Sequence, residues 1–195
     1  MAWIAAAVAE TLSELLMRRR EREFETCDRI VVPSTVALQS FTEMGYGEKT
    51  EVVPIGVDAD FFTPKGDAPP SPIFRVGYFG RAEPAKGLGY LLQAWKRLAL
   101  PRAELVLVGE VKPQMKSLLK TYADPGLRLT GFLPQHEVAQ RYRESSLFVL
   151  PSPNEGLAQV LLEATASGLP VVATDMTGAT DCLENGRESS CPRAT

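Results

Sequence analysis

The sequence predicts an α/β domain built on a doubly wound parallel sheet, and two observations carry that prediction. From Ile73 onward, short apolar runs alternate with segments of helical periodicity, the pattern of a parallel sheet with helices on both faces. Near the end of that series, Phe148 to Asp175 packs strand, tight loop, helix and strand into one stretch and carries the densest chemistry of the chain. At 195 residues the chain is long enough for one ordinary domain with a core and short for two.

Taken in order, Ala2 to Phe24 has helical periodicity, and Cys27 to Ser34 reads as a short buried strand ended by Pro33. Thr35 to Met44 is a second short helix closed by Gly45, and a strand follows at Glu51 to Pro54. The Gly, Asp and Pro rich passage that ends at Pro72 reads as a linker over 56–72. The alternation then runs as strand Arg75 to Gly80, helix Leu88 to Leu98, strand Glu104 to Gly109, helix Met115 to Ala123, strand Leu127 to Thr130 and helix Glu137 to Ser145. It closes with strand Phe148 to Leu150, a helix from about Gly156 to Ser167 and strand Val171 to Ala173. In such sheets ligands bind beyond the carboxyl ends of the strands, which places the loops after Gly80, Gly109, Thr130 and Leu150 at the ligand edge.

Two of those loops carry the candidate chemistry. After Leu150, Asn154 stands where an N-cap would, and the backbone N–H groups of Gly156, Leu157 and Ala158 are expected to be unpaired at the helix start, where an anion such as a diphosphate fits. Glu155 at the mouth of this helix and Glu163 two turns in are eight residues apart, roughly 12 Å along the axis, too far to share a proton. Glu163 falls at the margin of the buried face, where a carboxylate accepts hydrogen bonds, and sugar hydroxyls would supply them. A ligand with a charged middle and hydroxylated ends, such as a nucleotide sugar, suits this layout. A plainer reading makes Glu155 a favourable charge at the helix dipole and Glu163 a solvated helix residue. After Gly80, Arg81 and Lys86 put a planar fork and a compact charge at the same edge, able to neutralise a diphosphate or to serve as ordinary surface cations.

Composition narrows the alternatives. A formal charge of −3 gives no basis for nucleic-acid binding. The three cysteines, Cys27, Cys182 and Cys191, are too few and scattered for a disulfide framework or a zinc site, which favours a reducing, cytoplasmic setting. His136 is the single histidine and sits at a helix start, so it suits a surface or capping role better than a catalytic one. No stretch of about 18 apolar residues exists to span a membrane. The basic amphipathic segment at Leu15, Leu16 and Arg18 to Arg22 is usually a solvated face, with weak contact to anionic lipid as the alternative.

Three motifs resemble the group 1 or family 4 retaining glycosyltransferases of the GT-B type. They are the Glu155-x7-Glu163 pattern with its flanking Pro-Ser-Pro-Asn-Glu-Gly and Gly-Leu-Pro-Val-Val-Ala segments, the Gly80-Arg81 to Lys86-Gly87 loop, and the Val53-Pro54-Ile55-Gly56-Val57-Asp58 passage. The resemblance implies a Rossmann-like donor-binding domain at 73–188, preceded by the closing elements of an incomplete acceptor domain at 1–55. It also implies a UDP- or GDP-type nucleotide sugar as substrate, an unknown sugar, lipid or small-molecule acceptor, and no metal or cofactor. Arg81, Lys86 and Glu155 would be catalytic, with Gly80, Phe132, Leu133, Gly156, Leu157, Ala158 and Glu163 binding the donor, Phe132 and Leu133 next to the base. Many members read Glu-Gly-Phe-Gly where this chain has Glu155-Gly156-Leu157-Ala158. Residues 189–195 read as an aberrant tail that cannot supply the strand expected there, which leaves an unpaired sheet edge and points to a frame change or truncation, while the two helices and two strands of the first 55 residues, with no evident place to be buried, point to a fragment lacking most of its N-terminal domain. The alternatives are a non-catalytic nucleotide-binding fragment and a dinucleotide oxidoreductase, the latter disfavoured because no Gly-x-Gly-x-x-Gly follows a strand.

Overall fold

The computed structural model describes residues 2–64, 66, 71–182 and 188–191, with the backbone alone at 2–13 and 188–191. The chain forms two compact units, Met1–Val53 and Pro54–Thr195. In the first, helix α1 (Ala2–Thr26) leads to strand β1 (Ile30–Val32), helix α2 (Thr35–Glu43) and strand β2 (Thr50–Val52). Strands β1 and β2 pair in parallel, with Ile30 opposite Thr50. Ser34 Oγ caps α2 by accepting from Ala37 N–H at 3.1 Å, a helix start the Pro-Ser-Thr sequence favours. Lys49 Nζ donates to the carbonyls of Glu25 and Cys27 at 3.1 and 3.2 Å, satisfying the end of α1.

The second unit contains a six-stranded, all-parallel sheet in the order β5-β4-β3-β6-β7-β8. Its strands are β3 (Phe74–Phe79), β4 (Ala103–Val108), β5 (Leu127–Gly131), β6 (Leu147–Leu150), β7 (Val171–Thr174) and β8 (Glu188–Cys191). Between and after them lie helices α3 (Leu88–Leu98), α4 (Lys116–Thr121), α5 (Gln135–Glu144), α6 (Gln159–Ala166) and α7 (Ala179–Cys182). The predicted doubly wound α/β class is therefore the one observed.

Alternation along each strand builds two cores. Val76, Tyr78, Leu105 and Leu107 face Leu88, Leu91, Leu92, Trp95, Met115 and Leu119 of the α3 and α4 layer. Phe79, Val106, Val108, Phe148 and Leu150 face the other layer, where Ala139, Tyr142, Leu161 and Ala164 come from α5 and α6. Successive residues of one strand thus serve opposite layers.

Two expectations change. Phe62 is 2% exposed in the α5 and α6 core, with Val57 and Phe61 packed beside it. The passage read as a linker over 56–72 is thus, in its first third, part of the second unit, because its aromatic residues have a core to enter; 65 and 67–70 lie outside the described residues. The tail was expected to leave β7 unpaired, yet β8 pairs with it in parallel from Val171 opposite Glu188 to Thr174 opposite Cys191. A strand is joined through its backbone, so the polar Glu-Ser-Ser-Cys segment can extend the sheet without apolar side chains. Residues 183–187, with the Asn185-Gly186 turn, and 192–195 lie outside the described residues.

Candidate donor-binding site

Strand order reverses between β3 and β6, which makes the crevice beyond their carboxyl ends the natural ligand position. The loop leaving β3 is rigid from its first residues. Ala82 N–H donates to Glu110 O at 2.8 Å and Lys112 N–H to Ala82 O at 3.0 Å, so the β3 and β4 ladder continues past the strands. Gly109 is needed there, because a Cβ on it would lie 2.2 Å from Gly80 O. The buried Tyr78 donates its hydroxyl to Arg81 O at 2.8 Å, and burial, with Glu155 and Glu83 nearby, pushes its ionisation well above the usual phenol range.

After this fixed segment, Pro84–Lys86 forms one turn of 3-10 helix and Gly87 turns the chain into α3 with φ of 68°. Its missing side chain matters twice, since the left-handed conformation suits glycine and a Cβ would sit 1.9 Å from Pro151 O. The loop after β3 is in this way pressed against the end of β6. That approach brings Lys86 Nζ into an ion pair with Glu155 Oε1, the side chains 25% and 17% exposed. Arg81 stays outside this pair; its side chain is 61% exposed and meets Glu83 at 3.4 Å.

The loop after β6 differs from its expected form. Helix α6 begins at Gln159, and Ala158 occupies the cap position with no side-chain cap, so Asn154 is not the N-cap. The reason is a long-range pairing with the turn that follows β7. Glu155 N–H donates to Met176 O at 2.9 Å, Ala158 N–H donates to Thr177 O at 3.3 Å, and Thr174 Oγ1 donates to Ser152 O. Ala158 N–H is therefore engaged inside the protein and is not open to an anion. Leu157 packs toward Gly178, whose added Cβ would meet Leu157 Cδ1 at 2.8 Å.

Glu163 is half-buried on α6, where Oε2 accepts from the Tyr142 hydroxyl at 2.9 Å. Burial raises its proton affinity above that of an ordinary carboxylate, and the Tyr142 hydrogen bond opposes part of that rise. Tyr142 itself is fully buried, stacked on Phe79 with ring centroids 3.7 Å apart. The sequence reading missed Tyr142. Its signal was a tyrosine on the buried face of a helix, which needs a partner for its hydroxyl, but the sequence does not say which.

Phe132 lies just past β5, two strands from β3, and is 83% exposed, whereas Leu133 is half-buried against the α5 and α6 core. The structure thus brings Lys86 and Glu155 together and leaves Arg81 on the rim. Glu163 pairs with Tyr142 of α5 rather than with the loop after β3. His136 is exposed on the first turn of α5. Among the described residues no helix is long and apolar enough to cross a membrane.

Comparison with known proteins decides the family. Residues 73–192 match the family described as glycosyl transferases group 1. The chain belongs to the group 1 glycosyltransferases. It is 30% identical over 190 residues to the D-inositol 3-phosphate glycosyltransferase of Streptosporangium roseum, an alignment covering 85% of this chain and 43% of that one. Among solved structures it resembles sucrose-phosphate synthase from Thermosynechococcus elongatus, with a TM-score of 0.73, 25% identity, and coverage of 85% and 45% of the two chains. It also shares its fold with Anabaena HepE, solved in complex with UDP and glucose, at a TM-score of 0.68 and 23% identity over 82% of this chain and 48% of that one. The chain spans 27% to 45% of the length of curated relatives that it matches. Its Rossmann-like sheet is that of a GT-B group 1 glycosyltransferase.

Proposed function

We propose that this chain forms the donor-binding half of a retaining, family 4 glycosyltransferase that moves a sugar from a UDP- or GDP-type donor to an acceptor. The observation that carries the reading is the Lys86 and Glu155 ion pair, which joins the loops after β3 and β6 across the crevice at the switch point. Lysine has three donors, so Lys86 can keep Glu155 and still reach a phosphate oxygen. Arg81 can turn to the diphosphate at little cost, because an exposed pair such as Arg81 and Glu83 contributes only about 0–1 kcal/mol. These two cations, rather than a metal ion, would stabilise the charge that develops on the leaving diphosphate. Glu155 would hold hydroxyls of the transferred sugar and Glu163 those of the ribose. The HepE complex with UDP and glucose supports the donor class by likeness of fold.

In the two-domain family fold the acceptor is carried largely by the other domain, so we assign donor binding to the unit that holds residues 73–192. Calorimetric titration with UDP, GDP, UDP-glucose, uridine and NAD tests the reading. A nucleoside diphosphate binds and NAD does not; replacing Arg81 and Lys86 with alanine weakens the diphosphate at least about tenfold while uridine binding changes little. Equal losses for both ligands would refute the phosphate assignment.

A further inference from the structure

The geometry points to Tyr142 as a positioning residue for the nucleoside half of the site, acting through Glu163, an inference that rests on the donor-binding reading above. The Tyr142 ring is packed on its face and its edge: it is fully buried, its face lies on Phe79 at an interplanar angle of 12°, and Phe62 meets it edge-on at 5.8 Å. Its hydroxyl lies 2.9 Å from Glu163 Oε2 and 3.3 Å from Val160 O, both on α6. A carboxylate on a helix surface has several rotamers, and this one is held in the rotamer the hydroxyl selects. Oε2 is thereby engaged, while Oε1 accepts no hydrogen bond among the described residues. One oxygen held and one open is the arrangement that a ligand hydroxyl needs, with the rotamer entropy of the side chain removed before binding.

Among the described residues, Tyr142 on α5 is also the titratable group that acts on Glu163. Its hydrogen bond counters the burial that favours the protonated acid, and so keeps the carboxylate an acceptor. A tyrosine that merely filled the core would need its ring and not its hydroxyl. Tyr142→Phe keeps the stack on Phe79 and removes the oxygen, which separates the two roles.

The test is a double-mutant cycle on the full chain, with UDP and inorganic pyrophosphate titrated by calorimetry. Tyr142→Phe weakens UDP about tenfold, as expected for loss of an oriented charged hydrogen bond, and leaves pyrophosphate within about twofold. In a Glu163→Gln background the same change alters UDP affinity less than about twofold, because its effect runs through the carboxylate. Equal losses for UDP and pyrophosphate, or an undiminished loss in the Glu163→Gln background, would overturn the assignment. A second readout needs no ligand: the carboxyl carbon of Glu163, assigned by its absence in Glu163→Gln, is titrated by NMR. Its midpoint moves upward in Tyr142→Phe; an unmoved midpoint overturns the positioning role. If the unaltered chain binds no nucleotide while the midpoint moves, the donor reading fails and the orientation of Glu163 by Tyr142 stands.

Discussion

Replacing Gly87 with alanine should destabilise the second unit far more than the same change at Gly131, although the two glycines have nearly the same φ, 68° and 72°. The shared backbone conformation costs a residue with a Cβ about 1–2 kcal/mol at either position. At Gly131 nothing lies within 4 Å of the added carbon, so that cost is the whole effect. At Gly87 the carbon would come to 1.9 Å from Pro151 O, where side-chain carbons essentially never approach closer than 3.0 Å. The loop after β3 must then withdraw from β6 by about an ångström or more, exposing buried Gly87 and Leu88 and separating Lys86 from Glu155. A further loss of about 2–3 kcal/mol follows from this strain and lost packing. Urea unfolding of both variants measures it, and in a thermal scan each kcal/mol lowers the midpoint by about 2–4 °C. If Gly87→Ala and Gly131→Ala unfold at the same urea concentration, the close approach of the two loops is not what holds the site.

Phe62→Ala should cost about 3–5 kcal/mol, whereas Phe132→Ala, at an exposed position, should stay within about 0.5 kcal/mol; comparable urea midpoints would remove Phe62 from the core. Glu163 has a folded-state pKa raised above the ordinary 4.5, so its contribution to stability is full below that value and lost as pH rises through the folded value. The stability of the unaltered chain relative to Glu163→Gln should therefore fall as the medium is taken from pH 4 toward neutrality, as read by urea unfolding at each pH; a difference that grows with pH would contradict the burial argument. Glu155→Gln should shift the ratio of UDP-glucose to UDP affinity against the sugar donor by about fivefold, since a hydroxyl partner is lost and the phosphate partners remain. An equal loss of both ligands in calorimetry would mean that Glu155 serves the phosphates.

What could be read from the sequence was whatever the local pattern determines. Leu88 to Leu98 is a helix with the predicted limits, because Leu88, Leu91, Leu92 and Trp95 make one apolar stripe and all four are buried. Strands β2 to β7 fall within a residue or two of their expected limits for a similar reason, being short apolar runs between turns, whereas β1 is confined to Ile30–Val32 of the expected Cys27 to Ser34. What could not be read was decided by distant partners. Helix α6 starts three residues later than expected because Glu155 and Ala158 bond to Met176 and Thr177, some twenty residues away in the sequence. The tail strand could not be read because β7 supplies the backbone partners that the segment's own composition does not suggest. The two glutamates were found as a pair, but their separate attachments, one to Lys86 and one to Tyr142, depend on how α5 and the loop after β3 pack.

The stack of Phe79 on Tyr142 ties together parts of the site that are far apart in the chain. Phe79 is the last residue of β3, and the loop that carries Arg81 and Lys86 starts at its neighbour Gly80; Tyr142 hydrogen-bonds to Glu163. The loop and the carboxylate are therefore anchored at the two sides of a single aromatic contact, one through the backbone and one through a hydroxyl. Such a contact orders when the sheet and α5 condense during folding, so most of the disorder that each half of the site would otherwise lose on meeting its ligand is already gone. On the proposed donor reading, the spacing between the loop that would take the phosphates and the carboxylate that would take the ribose is set in advance, as a gauge block sets a length, and a ligand of a different length could engage one or the other but not both.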